Sequence, residues 1–522
     1  MRRWVSHLCT TTLDGKQLGY ERRHPEKSVL YRVVAEHMQT LFAEAEARSP
    51  HGYGYPSYVK RECPSSCGLG GRRCPSPTGW HAGSERFLGC GLACRGFARI
   101  GCRCGFERLV PYSCKGRACP SCLGRRMADT AAHLVDHVMP KAPYRLWTLS
   151  LPKRMRVRVA ADPALLTKVI STFLRTIMSY QRRRARALGV RRPLSGAVTF
   201  VQLLGSVLQL TPHAHSWIPD GVFTLDDSQT LQCVRLPPPT DDDVAKLLQR
   251  VHARVCALID KADQHGADEP DDSQLAVVSA QVEALQVPLF SIPLGPDELP
   301  YRPLCAAGDG FSLHADLAIH QDDRAGLERM LRYGLRPPFS QKRLSLTPDG
   351  KVRLQLRKPW HTGQRDIVFE PVEFLRRLAA GIPHPGQHLT RFHGVFAPRA
   401  SVRAKLKALL PRPPPALLSS PQDTASPTAD GATADGAVPP GELPSQPEST
   451  PQYRRPWAQL LKRVFGHDIL VCPKCHDQMR HIQFVDVPAV IQRICAHLGL
   501  PTAPPPVAPA RAPPQQHFEL DC

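Results

Sequence analysis

The chain has 522 residues, 42% of them hydrophobic, with 68 Lys and Arg against 46 Asp and Glu, for a formal net charge of +22. That length supports two or three domains with their own cores, and the composition excludes a chain disordered throughout. So large a basic excess is the electrostatic footprint of a protein that meets polyanions, nucleic acid first among them. No run of about 18 apolar residues occurs, and the opening Met1-Arg2-Arg3-Trp4-Val5-Ser6-His7 lacks the apolar stretch of a secretory signal. The expectation is a cytoplasmic protein with no membrane partner.

Taken in chain order, the first element is a helix over 25–48, where Val29, Leu30, Val33, Val34, Met38, Leu41 and Phe42 fall on one face. Ten of the 18 cysteines follow between Cys63 and Cys122. Without an export signal, such clustered thiols point to zinc rather than disulfides. The stretch from Cys63 to Trp80 is rich in Gly, Pro and Ser and has no clear period, so it is expected to be an irregular loop. A helix over 125–139 then leads into the strand-like Leu146-Trp147-Thr148-Leu149-Ser150-Leu151. Asp162-Pro163 supplies an N-cap and first-turn proline to a helix ending in Arg182-Arg183-Arg184.

Strand-like runs recur at 198–203, 207–210 and 222–225, with His213-Ala214-His215 between the last two, and the pattern suggests an antiparallel sheet. A helix over 241–259, a polar loop near 268–273, a helix over 323–333 carrying Tyr333, and a hairpin around Pro348-Asp349-Gly350 complete an α+β arrangement. From about 411 to 455 the chain is rich in Pro, Ser, Ala, Thr and Asp and reads as a disordered linker. Beyond it lie a short amphipathic helix over 457–465, the knuckle Cys472-Pro473-Lys474-Cys475, a helix over 487–500 and a Pro-rich tail.

Three signals carry chemistry. Cys102, Cys104, Cys114, Cys119 and Cys122 resemble a zinc ribbon, in which two knuckles place four thiolates tetrahedrally. Cys102 and Cys104 are separated by one residue where a knuckle wants two, so Cys114, Cys90 or Cys94 could replace a misplaced ligand. The C-terminal Cys472/Cys475 pair has no second such pair beside it, though His476, His481 and Cys495 are near in sequence. The second signal is His213 with His215. On a strand, positions i and i+2 share a face, so both imidazoles can converge on one divalent cation, with His314 or Gln202 as a third ligand. The third is Tyr333 among Arg329, Arg332, Arg336, Lys342 and Arg343, cations suited to hold a phosphodiester and stabilise charge in its transition state.

These residues resemble the HUH-type rolling-circle transposases of the insertion-sequence ninety-one family. The likeness covers most of residues 20–500. It rests on Gly96-Phe97-Ala98-Arg99, Ser113-Cys114-Lys115-Gly116-Arg117 with Cys119-Pro120-Ser121-Cys122, Arg125-Arg126-Met127-Ala128 and Leu149-Ser150-Leu151-Pro152. It continues through His213-Ala214-His215 with Asp220-Gly221-Val222, Arg332-Tyr333 with Arg336-Pro337-Pro338, Lys358-Pro359-Trp360, and the run from His388 to Val395. The resemblance implies an N-terminal zinc-binding domain that helps recognise the end of the mobile element. It also implies a catalytic domain in which the histidine pair binds Mg2+ or Mn2+ and tyrosine cleaves one DNA strand. Members typically carry two tyrosines four residues apart; here Arg329 stands four before Tyr333, so the chain looks like the single-tyrosine branch.

The expectation is therefore an α+β protein: an antiparallel-sheet HUH nuclease domain with an N-terminal zinc-binding domain and a small C-terminal module. Its divisions are an N-terminal helical segment (1–60), a cysteine-rich zinc-binding domain (61–126), a catalytic transposase domain (127–410), a linker (411–455), a small C-terminal module (456–500) and a tail (501–522). The expected chemistry is nicking and transfer of single-stranded ends of a mobile element, in a bacterial cytoplasm in association with the nucleoid, through a 5′-phosphotyrosine. The competing reading is a zinc protein or transposase relic that binds DNA without cutting it. A transposase using three carboxylates is disfavoured, because Asp226-Asp227, Asp241-Asp242-Asp243 and Asp271-Asp272 sit in turn-like or helix-start contexts.

Overall fold

A computed structural model describes residues 24–49, 52, 54–62, 87–264, 302–359, 363–410, 457–466 and 468–511. The expected irregular loop at 63–80, the polar loop near 268–273 and the linker at 411–455 lie outside the described residues. The elements in chain order are α1 (Val29–Arg48), α2 (Ser57–Glu62), β1 (Phe97–Gly101), β2 (Glu107–Pro111), α3 (Pro120–His137), β3 (Tyr144–Ser150), α4 (Lys153–Ala161) and α5 (Pro163–Ala187). They continue with β4 (Gly196–Leu204), β5 (Leu210–Pro219), β6 (Gly221–Leu225), β7 (Leu231–Arg235), α6 (Asp241–Gln264), β8 (Cys305–Gly308), β9 (Phe311–His314) and β10 (Ala318–Ile319). The tyrosine helix α7 (Arg324–Gly334) is followed by β11 (Leu344–Leu346), β12 (Val352–Gln355), β13 (Asp366–Phe369), α8 (Pro371–Ala380), β14 (Thr390–Gly394) and α9 (Arg403–Ala408). Last come α10 (Trp457–Phe465), β15 (Arg480–Val485) and α11 (Pro488–His497).

The main sheet is antiparallel, with strand order β14-β4-β5-β3-β9-β8 and β10 alongside β3. Alternation sorts its side chains to two faces. Trp147, Leu149, Val201, Ala214 and Ile218 are buried with Val169 and Phe173 of α5 and Val251 of α6. Tyr144, Val198, Phe200 and Trp217 are buried on the other face with Leu134 and Val135 of α3 and Leu327 and Leu331 of α7. Helices on both faces over an antiparallel sheet make this an α+β fold, as expected. A smaller sheet, β11-β12-β13, packs with α1 and α8, where Arg376 reaches Glu44 at 2.8 Å.

Local chemistry explains most boundaries. The Asp162 carboxylate accepts from the amides of Ala164 and Leu165, and Pro163 starts α5, as the sequence suggests. The strand expected at 207–210 is instead the tip of the β4–β5 hairpin: the Gly205 amide donates to the Gln209 carbonyl and Leu208 has φ 63°. Val207 and Leu208 are apolar because that tip is buried against α1 and α8, so β5 begins later and carries the histidine pair within it. The helix expected at 125–139 starts five residues earlier, at Pro120, because Cys119-Pro120 forms its first turn.

The C-terminal segment does not stand apart from the cysteine-rich region. β15 pairs antiparallel with β1, giving a sheet of order β15-β1-β2 in which Phe97 faces Val485 in register. The tail returns to the N-terminal helix, where the Ala508 amide donates to the Ala35 carbonyl and the Arg511 amide to Thr40 Oγ1.

Within the core, Arg145 is 6% exposed and donates to Asp220 at 2.9 Å and to the Ala315 carbonyl at 2.7 Å. This pair pins the start of β3 to the β5–β6 junction. Asp220→Ala would leave the buried guanidinium without its counter-charge, so a loss of about 3–5 kcal/mol in denaturant unfolding is expected. A loss below about 1 kcal/mol would show that Arg145 is hydrated rather than paired.

Candidate metal and tyrosine centre

The histidine pair lies on the sheet face that α3 and α7 cover. In the β4–β5 ladder His213 stands opposite Gln202 and His215 opposite Phe200. Their rings meet nearly edge-on, with centroids 4.9 Å apart. His213 Nδ1 lies 2.6 Å from the Thr211 carbonyl, an acceptor, so it carries the proton and Nε2 is left as a lone-pair donor. His215 Nδ1 lies 3.1 Å from Thr148 Oγ1 on β3. Burial first, and then the Arg336 charge among others, holds both imidazoles below their usual range, that of His215 at about 3. Both are therefore neutral at ordinary pH, the form a metal requires.

Tyr333 is brought to this face by the docking of α7. Leu327 and Leu331 are 2% and 0% exposed, each contributing roughly 1.5–3 kcal/mol on burial, while Tyr333 remains 47% exposed. Asp323 caps the helix through the Gly326 amide. At the other end Gln202 Nε2 donates to the Gly334 carbonyl at 2.5 Å, so the residue facing His213 also holds the helix end that carries the tyrosine. A Cβ on Gly334 would come within 2.7 Å of Phe200 Cδ2, the side chain opposite His215.

Arg336 joins the two halves: its guanidinium stacks 3.8 Å from the Tyr333 ring centroid and is one of the charges acting on both histidines. Two cations that sequence reasoning missed stand with it. Arg357 interacts with Arg336 and Tyr333, and Arg156 acts on His213. Their positions in sequence, after β12 and on α4, give no local motif. A cavity of about 320 Å³ opens beside this centre, with Arg117, Arg126, Gln202, Arg336 and His388 in its wall.

The structure separates the other expected residues. His314 lies on β9, across β3 from His215, and its Nδ1 is 2.9 Å from Cys305 Sγ, so it is not brought to the histidine pair. Gln202 is the adjacent alternative; with its amide nitrogen spent on Gly334, its carbonyl oxygen is the group left for a cation. Arg343 is 8% exposed and donates to the Gln355 and Ser206 carbonyls, so it staples β12 to the hairpin tip rather than offering a surface charge. Arg332 is half-buried beside Glu328, Arg329 and Arg463. Arg329 is exposed near Asp323, and burial lowers the Lys342 ammonium.

Among the described residues, eight cysteines form two quartets. Cys90, Cys114, Cys119 and Cys122 have all four sulfurs within 4.8 Å of one another, with Cys114–Cys122 at 3.5 Å and Cys90–Cys119 at 3.7 Å. A tetrahedral zinc with Zn–S bonds of about 2.3 Å sets its sulfurs about 3.8 Å apart, whereas a disulfide needs about 2.05 Å. The amides of Cys114 and Gly116 point at Cys90 and Cys114 sulfurs. Cys102 and Cys104, expected in this set, instead stand with Cys472 and Cys475.

Gly334→Ala tests the docking of the tyrosine helix. Helix propensity alone favours alanine by about 1 kcal/mol, whereas overpacking against Phe200 costs roughly 1–3 kcal/mol. Net destabilisation in urea unfolding is expected; a stabilised variant would show that the helix end does not press on the sheet.

Residues 60–151 match the family model described as a transposase zinc-binding domain, of insertion-sequence ninety-one type, and residues 196–404 match that described as a putative transposase. A curated protein of Sinorhizobium fredii, "Putative transposase y4qJ", is 23% identical over 403 residues, which cover 74% of this chain and 84% of that protein. No solved structure matches the chain. Among the described residues no helix is long and apolar enough to cross a membrane. By both family matches the chain belongs to the transposases that carry an insertion-sequence ninety-one type zinc-binding domain.

Proposed function

We propose that this transposase nicks and transfers single-stranded DNA from the ends of a mobile element, with Tyr333 as nucleophile. The observation that carries the reading is Arg336, which stacks on Tyr333 and whose charge also acts on His213 and His215, so that one side chain is near both the nucleophile and the histidine pair.

His213 and His215, through their Nε2 atoms, and Gln202, through its carbonyl oxygen, would hold Mg2+ or Mn2+. The donor set fits: the two imidazoles are neutral, share a strand face, and that of His213 is oriented by a carbonyl behind it. When bound, the cation supplies charge that polarises the scissile phosphate. Arg336 and Arg357 hold the phosphodiester and offset negative charge in the transition state. The Tyr333 hydroxyl gives up its proton to solvent as its oxygen attacks phosphorus, the bond to the 3′ oxygen breaks, and the 5′ phosphate becomes linked to tyrosine. The leaving oxygen takes a proton to become a 3′-hydroxyl. The phosphotyrosine keeps the energy of the broken bond, so reversal by a different 3′-hydroxyl joins strands without ATP.

The test is incubation with labelled single-stranded DNA from the element's ends and Mn2+, resolved on a denaturing gel. A slow-migrating adduct is expected, absent from Tyr333→Phe and reduced by at least about 100-fold in His213→Ala, the scale of losing a metal-site group. An adduct that survives in Tyr333→Phe would assign another nucleophile. No adduct from a folded protein that still binds the DNA would favour the reading of a zinc protein that binds without cutting.

A further inference from the structure

We infer that Cys102, Cys104, Cys472 and Cys475 form a second zinc site, which fastens the C-terminal arm of the chain to its N-terminal zinc-binding domain. The four sulfurs lie within 4.8 Å of one another, with Cys102–Cys475 at 3.3 Å and Cys104–Cys472 at 3.6 Å, across sequence separations of 373 and 368 residues. These spacings are too long for disulfides and close to the edges of a zinc–thiolate tetrahedron. The donor set is four thiolates with no open position, the form of a structural rather than a catalytic zinc.

Two independent features support the assignment. The backbone amides of Lys474 and Cys475 face the Cys472 sulfur, that of Asp477 faces Cys475, and that of Cys104 faces Cys102, as turns that cradle thiolates do. The same two chain segments are also joined away from the cysteines: β15 pairs with β1, and Arg108 donates to the Ile469 carbonyl at 2.7 Å while only 9% exposed. The single residue between Cys102 and Cys104 then has a reason. That turn supplies two ligands to a site whose regular knuckle comes from Cys472-Pro473-Lys474-Cys475.

The site has a mechanical consequence, which rests on the function proposed for Tyr333. The fastened segment continues back into α10, where Arg463 reaches Glu328 at 2.6 Å and Asp136 at 2.7 Å. Glu328 lies on the tyrosine helix and Asp136 on α3, so the arm that zinc holds also grips the helix bearing the nucleophile.

The test is zinc content per full-length chain by elemental analysis, with the zinc exchanged for Co2+ to read the thiolate-to-cobalt charge-transfer band. About two zinc ions per wild-type chain are expected. Cys475→Ser and the double variant Cys472→Ser with Cys104→Ser should lose one of them and about half of the band, and Cys475→His should restore the ion. One zinc per wild-type chain overturns the proposal without any variant, as does a folded Cys475→Ser that keeps both ions and the full band. Disulfide-linked Cys102 and Cys475 in protein purified without oxidant would overturn it as well. Because the readout is metal and sulfur rather than DNA cleavage, it stands or falls separately from the role of Tyr333.

Discussion

The register of β4 against β5 is the constraint on which the site depends. One pairing sets Gln202 opposite His213 and Phe200 opposite His215, and those same two β4 residues receive the end of the tyrosine helix, through the Gly334 carbonyl and the Gly334 backbone. A slip by one residue would turn the histidines to the face filled by α5 and α6 and remove the helix's seat together. The buried hairpin tip at Val207 and Leu208, held by the Gly205 amide and by Arg343, is what fixes that register. Arg343 therefore matters to the site through the strand it secures.

Electrostatically the centre gathers cations. Arg336, Arg343 and Arg357 act on one another, and burial, followed by those neighbours, pulls the Arg343 guanidinium down to about 10. Like charges gathered in a partly dry place cost stability until something negative arrives. Elsewhere on the tyrosine helix Glu328 is taken up by Arg463, which also reaches Asp136 of α3. Glu328 is 8% exposed, so its charge needs such a partner.

Local signals made much of this legible in the sequence. The N-cap of α5 follows from Asp162-Pro163, and the shared face of His213 and His215 from a period of 2 within one strand. What was not legible depends on pairing between distant segments. His314 has the right parity but lies across an intervening strand from His215, and strand order cannot be read from alternation. Arg343 looks like any exposed cation until the hairpin tip folds over it. Cys102 and Cys104 read as a defective half of a nearby site because their partners are more than 360 residues away. The knuckle at Cys472 and Cys475 was a visible remainder, a pair lacking its complement, and an odd pair at one end of a chain is reason to look for its partners at the other.

Helix α3 shows how the zinc-binding and tyrosine parts can act as one body. It starts at the first quartet, where Cys119 directly precedes it and Cys122 lies in its first turn, and it runs 18 residues, about 27 Å at the helical rise. At its far end Arg324, the first residue of the tyrosine helix, donates to the Val135 carbonyl of the last turn and, just past the helix, to the carbonyls of Met139 at 2.8 Å and Pro140 at 3.1 Å. A cation at a helix C-terminus is favoured by the helix dipole as well as by these bonds. The sulfurs that fix one end of α3 thus fix the position from which the tyrosine helix departs. Any displacement of the first quartet on meeting DNA would be carried to Tyr333 by a rigid element rather than through a loop.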